Sequence, residues 1–413
     1  PAPDFEQPNA PPPATATFAP VAAKPPKAKK GGAKKILLPA IALVLVAALA
    51  VTGVMTNGFG LLKKNHPMAA FWGGAKQLLM TEGFNATLDV GGKSRAYDYE
   101  TDGYTDEYET DAYTYEAALK WGKDVRSSTI ALRGLAGADY WDNIAYYNEQ
   151  AGYWYEYGSG AHFDAEEYLL ADDINDDLSD EFGFDVEQLA NKLLKSGKLQ
   201  LFDSKGKWNT DLLLEVAEPL RAQWQAEADT EYAGLLGKAK LAKVLSPALN
   251  LVDGFFEDYC GKKEVQDKIF SDYKKTTTGG ATTYTFTLDL AALTDALEDY
   301  LLDAIKEKKY KDLVAYAKDF LAAVESEYDL DDLISIAAAE FKSELREWGD
   351  VPVQMTVDKQ GRITALEVVD YAMYDDEYTL KLQVSNYGSP KIDTADLEAK
   401  IARCKEEYEG NYY

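Results

Sequence analysis

An α+β fold, with an antiparallel sheet and a block of helices behind one membrane-spanning helix and a disordered tail, is what the sequence predicts, and three observations predict it. Residues 36–56 carry no charge over a stretch long enough to cross a bilayer. Residues 84–157 and 351–386 largely alternate apolar and polar side chains, the period of strands with one covered face. Between them, over 164–260 and 291–348, apolar residues return at steps of three and four, the spacing of amphipathic helices.

The elements follow in chain order. Residues 1–35 are rich in Pro, Ala and Lys with little to bury, so they are expected to be a disordered cytoplasmic tail. The run ILLPAIALVLVAALAVTGVMT at 36–56 spans roughly 32 Å as a helix, which matches a bilayer core of about 30 Å. Lys24, Lys27, Lys29, Lys30, Lys34 and Lys35 precede it and only Lys63 and Lys64 follow, which places the N-terminus in the cytoplasm by the positive-inside rule. Ala48-Leu49-Ala50 offers a small-x-small cleavage site. The apolar run is nevertheless longer than a signal peptide's and follows a long Pro-rich stretch, so retention as an anchor is expected. Residues 57–66 then form a juxtamembrane linker and 67–413 an extracytoplasmic α+β domain. The chain begins at Pro1 rather than Met, which leaves a further upstream module open.

Within that domain, 67–81 is helical. In the first strand region Phe84, Ala86, Leu88 and Val90 alternate with polar residues, as do Tyr113, Tyr115, Ala117 and Leu119; turn-like breaks fall at Gly91-Gly92, Gly122-Lys123, 134–137 and Ala151-Gly152. The stretch YDYETDGYTDEYETDAYTYE at 97–116 is predicted to be strand at its ends, with the acidic 102–111 a long connection or a frayed hairpin tip. Helices over 164–260 are followed by a strand at 282–290, helices over 291–348, a hairpin system over 351–386 and a last helix over 394–408.

Charge narrows the partners. The chain has 43 Lys and Arg against 70 Asp and Glu, a net charge of −27, and Asp4 and Glu6 are the only acids before residue 65. An acidic domain of this kind argues against nucleic acid, whose phosphates need clustered cations. The basic stretch KPPKAKKGGAKK reads as topogenic because it directly precedes the spanning run.

Tail, basic cluster, spanning helix and acidic outer domain in that order resemble a class of single-pass proteins of Gram-positive bacteria, many of which begin with a zinc ribbon; no Cys precedes Cys260 here. The C-terminal block VPVQMTVDKQGRITALEV, followed by YTLKLQVSNYGSPKI with Tyr387, Gly388, Pro390 and Ile392, resembles the end of the LolA-like and LppX-like lipoproteins. That resemblance implies a curved, half-barrel-like antiparallel sheet packed with helices, and a hollow able to enclose an acyl chain. It covers about 45 residues, and its Gly and Pro end a strand rather than perform chemistry. This chain has no lipobox Cys and a larger helical block.

No catalytic or metal constellation stands out. His66, His162, Cys260 and Cys404 have no metal-ligand spacing. Ser271 to Lys274 and Ser204 to Lys207 match S-x-x-K without its companion motifs. Asp173, Asn175 and Asp177 begin like a calcium loop but lack its Gly and Glu, so a solvated helix-capping loop is expected. Cys260 and Cys404 lie where oxidation is permitted, and a bridge between them stands beside two free thiols as alternatives. The densest aromatic stretch supplies the ligand candidates Tyr140, Trp141, Tyr146, Tyr153, Trp154 and Tyr155, weighed against ordinary strand aromatics.

The expected function is that of a membrane-anchored extracytoplasmic binding protein for a lipid or other amphipathic ligand held between sheet and helices, without cofactor, metal or enzymatic activity. The alternative is a structural or sensory surface protein that meets cell-wall polymer or a protein partner.

Overall fold

A computed structural model describes residues 66–412, apart from 99–102, 137–138, 158–161, 183–184, 229, 324–325, 346–347 and 374–375. The first element is helix α1 (Pro67–Met80). The His66 imidazole accepts the Ala69 N–H at 3.3 Å and Pro67 occupies the first turn, where no amide partner is lost. No helix among the described residues is long and apolar enough to cross a membrane, and the predicted span at 36–56 lies outside them.

Six strands follow as a meander: β1 (Gly83–Asp98), β2 (Gly103–Lys120), β3 (Thr129–Ala136), β4 (Asp139–Tyr147), β5 (Gln150–Tyr157) and β6 (His162–Leu170). A helical block comes next, comprising α2 (Ala171–Phe182), α3 (Val186–Leu193), α4 (Thr210–Val216), α5 (Glu218–Glu227), α6 (Thr230–Leu235), α7 (Lys238–Gly254) and α8 (Lys263–Ile269). It is interrupted by a small hairpin, β7 (Leu194–Lys195) and β8 (Lys198–Leu199), and α7 runs into a π-turn at Phe255–Tyr259. The hairpin β9 (Phe270–Thr278) and β10 (Ala281–Asp289) leads to α9 (Leu290–Ala304), α10 (Lys311–Ala323) and α11 (Leu330–Leu345). Strands β11 (Asp350–Val357), β12 (Ile363–Met373) and β13 (Asp376–Ser385) and helix α12 (Thr394–Tyr412) end the chain.

The large strands form one antiparallel sheet of 11 strands in the order β6-β5-β4-β3-β2-β1-β13-β12-β11-β10-β9, open at both edges. Two meanders from opposite ends of the chain meet where β1 pairs with β13, from Asn85↔Ser385 to Lys93↔Glu377. This is the α+β fold with a sheet completed by distant segments that the alternating pattern implies.

The core lies on both faces of this sheet. On one face α1 and the π-turn pack against β10 to β12: Trp72 stacks on Phe256 at 4.8 Å, among Met68, Tyr284, Phe286, Met355 and Ile363. On the other face α12 covers β4 to β6, burying Leu397, Ile401 and Cys404 against Ala145, Trp154 and Phe163.

Several boundaries differ from expectation, each for a local reason. β1 runs straight through Gly91 and Gly92, which pair with Ala112 and Asp111, so the two glycines do not break the strand. Of the two alternatives for 102–111 the hairpin is the one present: 103–111 is strand, and Asp98↔Gly103 and Tyr97↔Tyr104 close the hairpin nearly at its tip, so there is no long connection. The β4–β5 turn is at Asn148 and Glu149, both at positive φ (48° and 73°), as a tight hairpin requires, and not at Ala151-Gly152. Gly152 is instead buried within β5, where an added Cβ would meet Trp154 and Cys404 at 3.1 and 3.2 Å.

β6 to β9 lie where the sequence predicts no strand, β6, β7 and β8 largely within the segment read as helical and β9 in a stretch with no element assigned. β6 sits inside the segment read as helical because its acidic side chains and a bulge between Tyr153 and Trp154 opposite blur the alternation. β9 is an edge strand with every residue after Phe270 exposed, so it carries no alternation to find. Asp173, Asn175 and Asp177, read as a loop, are helical in α2; Asp173 accepts the Leu170 N–H and Asn175 the Glu187 N–H. The last helix extends to Tyr412.

Candidate functional site

Cross-strand register fixes which side chains share a face. The pairs Leu380↔Val90↔Tyr113 and Leu382↔Leu88↔Tyr115 run across β13, β1 and β2, and the next row on the same face, Val384↔Ala86↔Ala117↔Leu132, reaches β3. In the other direction Leu382↔Leu366 and Leu366↔Met355 join the same face to the core beneath α1. The middle of the sheet therefore turns the α1 side of its surface, and with it Leu88, Val90, Tyr113, Tyr115, Leu132 and Leu380, toward the helices.

That core ends before it covers the middle strands. Tyr113 remains 37% exposed, Leu132 39% and Leu380 36%, and neither Leu88 nor Val90 is fully buried. Exposed strand apolars are unremarkable singly, but Leu380 and Tyr113 flank the half-buried Val90 in one row, and the half-buried Leu88, Tyr115 and Ala117 on the same face link that row to Leu132, so together they make an apolar floor.

The opposite face of the same strands is the polar one. The Thr114 hydroxyl donates to Asp89 Oδ1 at 2.7 Å, and Lys381 Nζ lies 3.5 Å from Glu367. The alternation that predicts half-covered strands is real here, yet its apolar half is only partly covered.

The floor continues into β5. Ile130↔Tyr146 and Tyr146↔Ala151 put Tyr146 on the floor side, and by alternation Tyr153, Tyr155 and Tyr157 project there too. The Tyr153 and Tyr155 rings meet edge to face at 5.1 Å with their hydroxyls hydrogen-bonded, Tyr155 stacks on Tyr157 at 6.1 Å, and Tyr157 stacks on His162 at 5.9 Å. Such a ladder presents ring faces with phenolic oxygens at its tips, a surface that is apolar and polar at once. Burial, reinforced by the Tyr155 hydroxyl, pushes the Tyr153 phenol well above the ordinary tyrosine range. Burial, aided by the Glu187 carboxylate, pushes Tyr146 up to about 12, and its hydroxyl has no hydrogen-bond partner among the described residues.

Of the six aromatic candidates, the structure brings Tyr153 and Tyr155 together on the floor side; Tyr146 shares that face but is buried against Ala151 and Ala171 where α2 begins. Trp154 projects to the other face and is fully buried, stacked on Phe163 at 6.3 Å beneath α12, so it belongs to that core. Tyr140 and Trp141 pair through their backbones with Glu156 and Tyr155, and their side chains lie outside the described residues. Tyr113, Tyr115, Leu132 and Leu380 were not singled out from the sequence. Each sits in an ordinary alternating strand, and only the register of distant strands assembles them.

The cysteines are two free thiols rather than a bridge. Cys260 ends the π-turn in the core under α1, whereas Cys404 lies under α12, with its sulfur 3.1 Å from the Glu167 carbonyl. Burial raises both thiols, Cys404 to about 11. Ser271 and Lys274 are both exposed on the edge strand β9 and stand opposite Thr287 and Thr285 across a bulge at Asp272, whose φ is 52°. Among the described residues no group of three or more His, Cys, Asp or Glu side chains converges as a metal site.

No protein-family model matches the chain, and no curated protein matches it.

Proposed function

We propose that the partly covered apolar floor is one wall of a half-barrel-like hollow that holds a lipid or other amphipathic ligand, in a binding protein carried outside the cell by the helix at 36–56. The observation that carries this reading is the exposure of Tyr113, Leu132 and Leu380 on the same sheet face that α1 packs against farther along. A folding chain gains from covering such residues, roughly 25 cal/mol for each Å² removed from water, so leaving them as a continuous floor suits a ligand that supplies the cover. The tyrosine ladder of β5 gives the same surface hydrogen-bonding groups, which favours an amphiphile over a pure hydrocarbon. The resemblance to LolA-like and LppX-like lipoproteins points the same way, because an open antiparallel sheet with helices on its inner face is what that resemblance implies. The uncharged run at 36–56 with its preceding lysines supports the membrane anchor and its orientation.

Extraction and mass spectrometry of the purified full chain test the ligand. A stoichiometric amphiphile is expected. A chain that carries none and takes up none from vesicles would favour the reading as a structural or sensory surface protein. Protease added to intact cells tests the topology: it should digest the region after residue 66 and spare the tail.

A further inference from the structure

A cavity of about 410 Å³ lies between α1, α7, the π-turn and the loop at 203–209. Its floor is built around Lys76. That side chain is only 4% exposed, with its ammonium 2.6 Å from Asp253 Oδ1 and 3.4 Å from Glu257 Oε1, and 5.5 Å from the ring centres of both Trp72 and Phe202. Trp72 Nε1 donates to the same Asp253 oxygen at 2.7 Å. Glu257 is set by the π-turn, in which the Cys260 N–H reaches the Phe255 carbonyl, a widening of the helix that recurs at functional sites. The rim is ordered as well: Asp203 Oδ1 accepts the N–H groups of Lys205 and Lys207 at 2.8 and 3.0 Å.

Charge, hydrogen bonding and an aromatic wall decide what fits. Lys76 is matched by Asp253 and Glu257, and the two rim lysines, Lys205 and Lys207, flank the Asp203 carboxylate, so the positive groups around the cavity face a comparable number of negative ones. The lining offers donors and acceptors side by side. The buried Trp208 Nε1 has no hydrogen-bond partner among the described residues, and the Asn250 amide reaches the Ser246 hydroxyl at 3.5 Å. Trp208 forms an aromatic part of the wall, held against Phe202 at 4.3 Å. A hydroxyl both donates and accepts, so a ring bearing several hydroxyls answers such a mixed lining, and its C–H face suits an indole. The volume falls at the lower end of the about 300–1,000 Å³ usual for small-molecule sites.

We propose that this cavity is a binding site for a short neutral saccharide, separate from the sheet hollow and independent of what that hollow holds. The test uses the full chain in a detergent without a sugar headgroup. Saturation-transfer NMR and calorimetry would be run with maltose, cellobiose and N,N′-diacetylchitobiose, with sodium phosphate as competitor. At least one saccharide should bind saturably at millimolar concentration or below. The Ser246→Ala/Asn250→Ala variant, altered at side chains that are not buried and unchanged in thermal unfolding, should bind it about tenfold more weakly. Thr210→Val provides a second lining variant with the same expected direction, and Leu132→Glu in the hollow should leave saccharide binding intact. Absence of saturable binding by all three sugars, binding unaffected by both lining variants, or displacement by phosphate would each overturn the assignment.

Discussion

Val90 of β1 stands opposite Leu380 of β13 in the ladder that makes two meanders one sheet. One residue along, Asp89 stands opposite Lys381 on the other face. The two halves of the chain are thus joined with their apolar sides aligned, and the alignment extends the floor beyond the part that α1 covers.

Charge placed on that floor should separate binding from folding. Leu132→Glu and Leu380→Glu are expected to shift stability by no more than about 1 kcal/mol, because both side chains already meet solvent. Each should weaken binding of a fluorescent fatty acid at least tenfold. Urea melts and ligand titrations measure the two effects; a loss of several kcal/mol would mean that these residues are sealed core.

Ligand length offers a second handle. A methylene removed from water is worth about 0.8 kcal/mol. Affinity in a saturated fatty-acid series should therefore rise roughly fourfold per added carbon until the hollow is filled, then level off. A series with no dependence on length would place recognition in the head group alone.

Gly74 marks where α1 touches the sheet. An added methyl group would come within 2.8 Å of Ile363 Cδ1 and 3.1 Å of the Ile363 backbone nitrogen. Gly74→Ala should cost about 1–3 kcal/mol by overpacking, and combined with Ile363→Ala, itself a costly truncation of a buried side chain, the total loss should be smaller than the sum of the two single losses. Thermal or urea unfolding of the two variants and their combination measures this.

Alkaline pH should unfold the protein through its tyrosines. Burial holds Tyr146 at about 12, above the ordinary value of 10.0, and raises Tyr153, Tyr300 and Tyr387 as well. A group whose folded value is raised contributes stability that is fully present below the unfolded value and is lost as pH rises through the folded one. Stability should hold up to about pH 10 and fall between about 10 and 12. Tyrosinate absorbance should show a late-titrating class that merges with the rest in denaturant.

Thiol counting checks the two separate cores. Without reductant, Ellman's reagent should find few reactive thiols in the native chain and both Cys260 and Cys404 once it is unfolded. A disulfide-linked peptide pair would contradict the placement of the two residues.

Much of this fold is legible from period alone. The alternation at Leu88 and Val90, or at Tyr378, Leu380 and Leu382, reports strands because one face meets core and the other water, and the helices from Leu235 to Phe256 announce themselves by their spacing. Other elements are not legible for stated reasons. β9 is an edge with nothing buried after Phe270, and Gly91-Gly92 looks like a turn until both neighbours, β2 and β13, hold it extended. The candidate site was only partly visible. Tyrosine density flagged Tyr153 and Tyr155, but a strand sends alternate residues to opposite faces, which sets Trp154 apart from them. The floor itself depends on the pairing of β1 with β13, nearly the whole domain apart in sequence, and no local pattern encodes that register.

The central claim is that an amphiphile lies on the floor formed by β13, β1, β2 and β3. A fatty acid carrying a diazirine near its chain end, photolysed with the full chain and mapped by peptide mass spectrometry, tests this most directly. Labels should concentrate on peptides holding Leu88, Tyr113, Leu132 and Leu380, and Leu132→Glu should diminish them. Labelling confined to residues 36–56, or scattered over the surface and indifferent to that substitution, would contradict the claim.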